Sequence, residues 1–483
     1  MNAIELKPQE RKMASTSAKL TSTSIQAGSR TPTAERPPLR SISSDELSKH
    51  TKEGDLWISI EGKVYDVTEW LGKHPGGGNP LLSFAGQDVT DAFLAFHPGT
   101  AWALLHQFLV GNLTDYNVSP IQADYRKLLT DLKKAGLYTN PVQVYGQYAV
   151  VMIAMFILCV LGLVYSQSLW VHVGCGALLG LVWIQTGFMG HDIAHSGMFK
   201  TSVDKYLKLF IGNCSTGIGM EWWRGNHNAH HYSCNCLDYD PDIQYMPLFA
   251  ISSKFFASLY SHFYDRKMEF DSAARLLVSY QHWTFYIIMA VARVNLYAQT
   301  FIVAFTKKMR ASTRALELAT LGFYWLWFSL LLSCLPNAFH RLAFVLTAFA
   351  VTGIQHVQFV LNHFSSPVYE GRPESKTWFE SQVTGSLNIS SSPWTDWFHG
   401  GLNFQIDHHL FPTLPRHNLR KIAPFVRGLC LKYGMPYESV SWCEANRRVL
   451  RTLRTAALEA RDMSKPVPDL SKSLLWEAVN VRG

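Results

Sequence analysis

Three groups of side chains in this sequence have the types and spacing to bind metal. His191-Asp-Ile-Ala-His195 sets two imidazoles at i and i+4. His227-Asn-Ala-His230-His231 sets three at i, i+3 and i+4, and Gln405-Ile-Asp-His408-His409 adds two more with an amide. On a helix such positions share one face, so each group can point at a common centre. Imidazole serves iron, copper, zinc and nickel, so ligand type alone does not name the metal. Seven His and one Gln exceed the set that one tetrahedral zinc takes. They suit two metal ions with positions left open for O₂. A different pair lies upstream. His74 and His97 each precede a proline, and His74 opens the run His-Pro-Gly-Gly-Gly. Two His on opposing loops can fill both axial positions of a heme. Such a heme has no site for oxygen and passes electrons instead.

The elements that must hold these groups follow from patterning. Around His74 and His97 the chain reads as a compact soluble unit. Ser44-Asp-Glu-Leu is a capped helix start. Leu56-Trp-Ile-Ser-Ile and Lys63-Val-Tyr-Asp-Val are short strands about the turn Glu61-Gly62. Beyond it lie five apolar stretches, near 148–166, 169–190, 283–305, 316–335 and 341–361. Each approaches the roughly 20 residues that cross a bilayer. The third carries Arg293 and Asn295 at its middle, which is costly in lipid. Parity agrees with that objection. If the three clusters share one site, two spans precede the first and an even number must separate the second from the third. The 283–305 stretch is therefore expected to be interfacial or re-entrant, giving four spans with both termini, the His74/His97 unit and all clusters on one face.

Composition narrows the function classes. Hydrophobic residues make up 48 % of the chain and charged ones only 17 %. The charged share falls below the roughly 25 % of soluble proteins. Between Ser41 and Asp115 ten acidic residues face four Lys and no Arg, a balance of −6, so the overall +8 leaves +14 elsewhere. An acidic module beside a basic, apolar body fits a redox domain docking on a membrane protein and gives no basic stripe for nucleic acid. The eight Cys form no CxxC pair and read as reduced thiols. Residues 1–42 are read as a solvated tail rich in Ser, Thr and Pro, without the apolar core of a secretory signal. Residues 43–115 are the heme unit, 116–146 a linker, and 147–483 the membrane domain.

Two resemblances attach to these motifs. His-Pro-Gly-Gly, the run Ala85-Gly-Gln-Asp-Val-Thr-Asp-Ala-Phe and the second His resemble the cytochrome b5 family over residues 43–115. HxxxH, HxxHH and QxxHH resemble the membrane fatty-acyl desaturase superfamily. Trp222-Trp223, Asp238-Tyr-Asp-Pro-Asp, Asn362-His-Phe-Ser-Ser and Phe404-Gln-Ile-Asp-His-His-Leu-Phe-Pro extend that likeness. Gln405 in place of a histidine resembles the front-end branch, whose members are fused to a cytochrome b5 domain. Together the two cover about residues 43–483.

The resemblance implies a small α+β heme domain followed by an all-α, four-span membrane domain with a cytosolic di-iron site. It implies heme b on His74 and His97. It implies two non-heme irons on His191, His195, His227, His230, His231, His408 and His409, with Gln405 as ligand or close neighbour. A further ligand outside the boxes is expected at His363, with His356 and His399 behind it. Asp192 and Asp407 are candidates to orient ligand imidazoles. The implied reaction inserts a double bond into a lipid chain with O₂ and two electrons, supplied by an NADH–cytochrome b5 reductase through the heme, in the endoplasmic reticulum rather than a plastid envelope. A sphingolipid chain is the expected substrate, at the delta-8 position of a long-chain base or in a ceramide acyl chain. A delta-6 acyl-lipid desaturase is the alternative and a di-iron lipid hydroxylase the second. The first box departs from the plant pattern at Ile193-Ala194 and after His195, which bears on regiochemistry.

Overall fold

A computed structural model describes residues 39–199, 201–371 and 377–462. The expected N-terminal tail up to residue 38 and the C-terminal run Leu475-Trp-Glu-Ala-Val-Asn lie outside them.

The heme unit is a five-stranded sheet of β1 (Arg40–Ile42), β2 (Thr51–Lys52), β3 (Asp55–Ile60), β4 (Lys63–Asp66) and β5 (Leu109–Leu113), in the order β1-β5-β4-β3-β2. The expected strands are present. Glu61 and Gly62 turn between them with φ of 49° and 73°, the positive values that a tight two-residue hairpin needs. β1 pairs parallel with β5, so the sheet begins ahead of the boundary drawn at 43. Arg40 and Ser41 carry no apolar pattern, because this edge strand buries only Ile42. Helices α1 (Asn79–Ser83) and α2 (Thr90–Phe96) pack Leu81 and Phe93 against Leu56, Ile58 and Tyr65 of the sheet.

Residues 116–146, expected as a linker, hold a helix, α3 (Pro120–Lys134), and the start of the first span. Ser119 caps α3, with its Oγ accepting from Gln122 N and its own N donating to Gln122 Oε1 at 3.0 Å. This reciprocal cap, with proline in the first turn, is a strong helix start. Ile121, Tyr125, Leu129 and Leu132 form its buried stripe, a helical period that a polar mean composition masks.

Among the described residues, four helices are long and apolar enough to cross a membrane: α4 (Val142–Tyr165), α5 (Leu169–Ser196), α9 (Ala311–Ser333) and α10 (Ala338–Leu361). Between α5 and α9 lie α6 (Met220–Tyr232), α7 (Ser272–Val291) and α8 (Arg293–Thr306). The suspect third stretch is broken, α7 and α8 being inclined by 65° at the break. Arg293 sits at that break. Its Nε donates to Tyr297 Oη at 2.7 Å, its Nη2 donates to the Thr216 carbonyl, and its guanidinium lies 4.1 Å above the Trp183 ring. A buried cation is thus met by a carbonyl, a phenol and an aromatic face.

α5 and α10 pack closely along their length. A Cβ on Gly176 would stand 2.5 Å from Phe344 O, and one on Gly180 2.7 Å from Val351 Cβ. Small residues here let the two backbones approach. Past α10, helices α11 (Trp378–Thr384), α12 (Gln405–Leu410), α13 (Leu419–Lys432) and α14 (Trp442–Ala460) make a cap, with α14 packed on α7 through Val449 and Leu453. The described residues of this domain are mostly helical, with two added two-stranded sheets.

Candidate redox and metal centres

At the heme site, His97 is the residue at which α2 gives way to extended chain, and His74 sits in the loop before α1. Each Nδ1 faces a main-chain carbonyl, Gly77 O at 2.8 Å and Phe93 O at 3.2 Å, so each donates there and leaves Nε2 free. The ring centroids are 6.0 Å apart. Burial lowers the pKa of both, and with the neighbouring imidazole it brings His97 to about 4. Both rings are thereby held neutral, the state in which they ligate. A Cβ on Gly76 would come within 2.9 Å of the His74 ring, so only glycine leaves that ring its place. These residues fit a bis-histidine heme.

The metal site draws on four elements. The end of α5 supplies His191 and His195; α6 supplies His227, His230 and His231; α12 supplies Gln405, His408 and His409; and His363 follows the end of α10. They sort into two adjoining groups. His191, His195, His227, His231 and His408 form one; His230, His363 and His409, with Cys234, form the other. In the first, Nε2 of His227 is 2.9 Å from that of His191, 2.8 Å from that of His195 and 3.0 Å from that of His231, and His408 is 3.1 Å from His231. In the second, Nε2 of His230 and His363 are 3.3 Å apart. Within each group the ligand atoms all lie within 4.8 Å of one another. Gln405 extends its amide to within 3.1 Å of both His363 Nε2 and His409 Nε2, and its Oε1 is buried without a partner. Turning that amide over would set an oxygen between the two rings. The donor set fits two metal ions.

Burial, with the neighbouring imidazoles, pushes His227, His231, His408 and His409 well below the usual imidazole range. Burial and His230 do the same to His363. For His230, burial is outweighed by the Asp240 carboxylate, which raises it. The back of each of three rings has its own partner. Nδ1 of His230 donates to Asp240 at 2.9 Å, that of His409 to Gln382 Oε1 at 2.8 Å, and that of His363 to the Gly385 carbonyl at 3.1 Å. Such contacts fix ring orientation and raise ligand basicity.

Of the other expected residues, His356 lines the cavity and donates from Nδ1 to Met289 O at 3.0 Å, while His399 packs on Trp442; neither joins a metal group. Asp192 lies 3.7 Å from His191 Nδ1 and accepts from Tyr145 Oη at 2.8 Å and Arg416 Nε at 3.1 Å. Asp407 accepts from Asn388 Nδ2 and Tyr437 Oη, and burial raises it to about 7; these partners are not imidazoles. The orienting groups that sequence reasoning missed are Asp240 and Gln382. Asp240 stands inside the Asp238-Tyr-Asp-Pro-Asp run already singled out, whereas Gln382 carries no signal in the sequence.

A cavity of about 180 Å³ opens beside the metal groups, between α5, α6, the α7–α8 break and α10. Phe188, Ile211, Trp222, Met289 and Phe359 give it apolar walls, and His191, His227, His230, His363 and Gln405 stand in one of them. An acyl chain laid there would run against the imidazoles.

The heme domain is docked against this site. Arg126 on α3 donates from Nε to buried Asp91 on α2 at 2.5 Å, and Thr413 Oγ1 donates to Ala95 O at 3.2 Å. Ala92 and Ala95 join the same apolar cluster as Ile406, Leu410 and Phe411 of the cap.

The chain was also compared with known proteins. Residues 43–114 match the cytochrome b5-like heme/steroid binding domain and residues 167–441 match the fatty acid desaturase family. A delta(8)-fatty-acid desaturase of Helianthus annuus is 52 % identical over 92 % of this chain and 96 % of its own. An acyl-lipid (9-3)-desaturase of Borago officinalis is 51 % identical over 92 % and 98 %. A delta 8-(E)-sphingolipid desaturase of Emericella nidulans is 32 % identical over 71 % and 63 %. With two imidazole groups at the ends of membrane helices and a heme-binding domain docked on them, this chain belongs to the fatty acid desaturase family, as a lipid-desaturating oxidoreductase fused to a cytochrome b5-like domain.

Proposed function

We propose that this chain is a front-end sphingolipid desaturase of the endoplasmic reticulum membrane, acting at the delta-8 position of a long-chain base or on a ceramide acyl chain. The observation that carries the reading is the convergence of eight imidazoles into two adjoining groups, four of them, His191, His227, His230 and His363, standing in the wall of an apolar cavity. One iron would be held by His191, His195, His227, His231 and His408. The other would be held by His230, His363, His409 and Gln405, and heme b by His74 and His97. Iron bound there supplies, with O₂, the oxidising power that an unactivated methylene demands. The overall reaction would take two hydrogens from neighbouring carbons of the lipid, with two further electrons delivered singly and two protons from solvent, and return O₂ as two waters. The protein's own residues do the positioning. The cavity wall holds one C–C bond against the imidazoles and shields it from water, and Asp240, Gln382 and the Gly385 carbonyl keep the rings aimed. An NADH–cytochrome b5 reductase is the electron source. The heme domain and metal groups face the cytosol, the side favoured by the basic run Lys307, Lys308, Arg310 and Arg314, since cytoplasmic loops carry the excess of Lys and Arg.

The relatives named for delta-8 activity, one of them on sphingolipids, support this substrate. The acyl-lipid relative supports a second reading, a delta-6 acyl-lipid desaturase, at nearly the same identity. Expression in yeast separates the two, with fatty acids and hydrolysed sphingolipids profiled apart and His227→Ala as control. A new double bond in the sphingolipid pool alone is the expected result. One in glycerolipid acyl chains alone would establish the second reading, and hydroxylated products would overturn both.

A further inference from the structure

Electrons must cross from the heme domain to the metal groups, and Phe96 of the heme domain reaches a ring of those groups. Phe96 is the last residue of α2 and the covalent neighbour of His97. The chain turns extended at His97, with φ of −95° and ψ of 137°. His97 stays in the heme domain, its ring stacked on Phe93 at 4.3 Å, while Phe96 reaches the cap. There the Phe96 ring meets His231 edge to face, with centroids 6.0 Å apart and planes at 80°, and meets Trp378 the same way at 5.8 Å. His231 is the residue whose Nε2 contacts both His227 and His408. Among the described residues the other ring contact across this interface, Phe84 against Tyr232 at 6.1 Å, reaches no imidazole of the metal groups.

We propose that Phe96 is the bridge for electron transfer from the heme to the metal centre, through the short sequence His97, Phe96, His231. The proposal rests on the reading that His97 ligates heme and His231 ligates metal. Electronic coupling decays with distance far faster through a gap than through bonds or packed rings. Here the path is one peptide unit, one aromatic ring and one ring contact. Each transfer moves a single electron. The heme is oxidised by one unit, the metal centre is reduced by one, and two such transfers serve each double bond. Phe96 is neither oxidised nor reduced in the sequence. An aliphatic side chain at this position would keep the apolar packing and remove the ring contact.

The test uses the full chain loaded with heme and iron, as wild type, Phe96→Leu and Phe96→Tyr. The heme is reduced without oxygen, then mixed with oxygen and lipid substrate, and its reoxidation is followed in the Soret band. Phe96→Leu should slow reoxidation about tenfold or more, and Phe96→Tyr should stay within about threefold of wild type. Iron content, the heme spectrum and the rate of heme reduction by the reductase should match in all three. In metal-depleted full chains all three should reoxidise at one slow rate, a readout that needs no desaturation. Wild-type reoxidation in Phe96→Leu would overturn the bridge, as would equal slowing in Leu and Tyr variants, which would mark a packing role. If wild-type heme reoxidises no faster with metal than without, the desaturase reading itself falls, whatever residue 96 is.

Discussion

At the heme site the two ring Nδ1 atoms donate to carbonyls three and four residues away in sequence, those of Gly77 and Phe93. At the metal site the corresponding atoms reach farther across the fold, from His230 to Asp240, from His409 to Gln382 and from His363 to Gly385. The first site is made of local contacts inside one small sheet domain. The second exists only once α5, α6, α10 and the cap have assembled. The difference teaches where damage will spread. A change at His74 or His97 should remain within the heme domain, while a change at any metal-site ring should disturb the partners of several elements.

The sharpest test of that contrast is His231→Ala, which removes a ring that joins α6 to His408 of the cap. Desaturation should vanish and bound iron should fall, with the Soret band unchanged, as read by metal analysis beside absorbance. The mirror experiment is His97→Ala. It should abolish the heme band and product formation while leaving bound iron at the wild-type level; loss of iron there would break the comparison. Next in size, Asp240→Asn should weaken metal retention about 10- to 100-fold without touching the heme, read by competition with a chelator. Arg126→Ala strips the cation from buried Asp91 at the boundary between the two regions. It should cost about 1–3 kcal/mol and open the interface to limited proteolysis before either site is lost. The smallest effect is on pH. His97 has a folded pKa lowered to about 4 by burial and then by His74. The unfolded chain binds a proton near the ordinary imidazole pKa of about 6.5 that the folded heme-free domain refuses, so stability is full above that value and falls as pH drops toward the folded one. His97→Asn in heme-free protein should flatten this slope in thermal melts.

Both clusters of rings are legible in the sequence because their residues are bunched. His227, His230 and His231 lie on one turn of helix, and the residues after His74 spell out a turn, so spacing alone exposes the geometry. The four spans and the broken 283–305 stretch are legible for a related reason: Arg293 in an apolar run is costly unless something meets it. What spacing cannot show is contact between distant segments. Gln382 looks like any surface glutamine until α11 is laid against α12. The 116–146 segment reads as a linker because its charged residues hide the stripe Ile121, Tyr125, Leu129 and Leu132, and the heme domain's docking follows from that same helix.

α3 has one further consequence. Tyr125 donates to Leu410 O in the cap at 2.7 Å, and Arg126, its neighbour on the helix, grips Asp91 in the heme domain. Adjacent side chains on a helix point about 100° apart, so one rigid turn is bolted to both modules. The connection therefore behaves as a strut of set length and not as a tether whose reach fixes an effective concentration. Adding or removing residues between 116 and 119 should be tolerated, whereas an insertion inside α3 rotates one bolt away from the other. A graft of a foreign heme domain onto this body must bring an acidic residue to the place of Asp91, or it will hang beside the enzyme instead of standing on it.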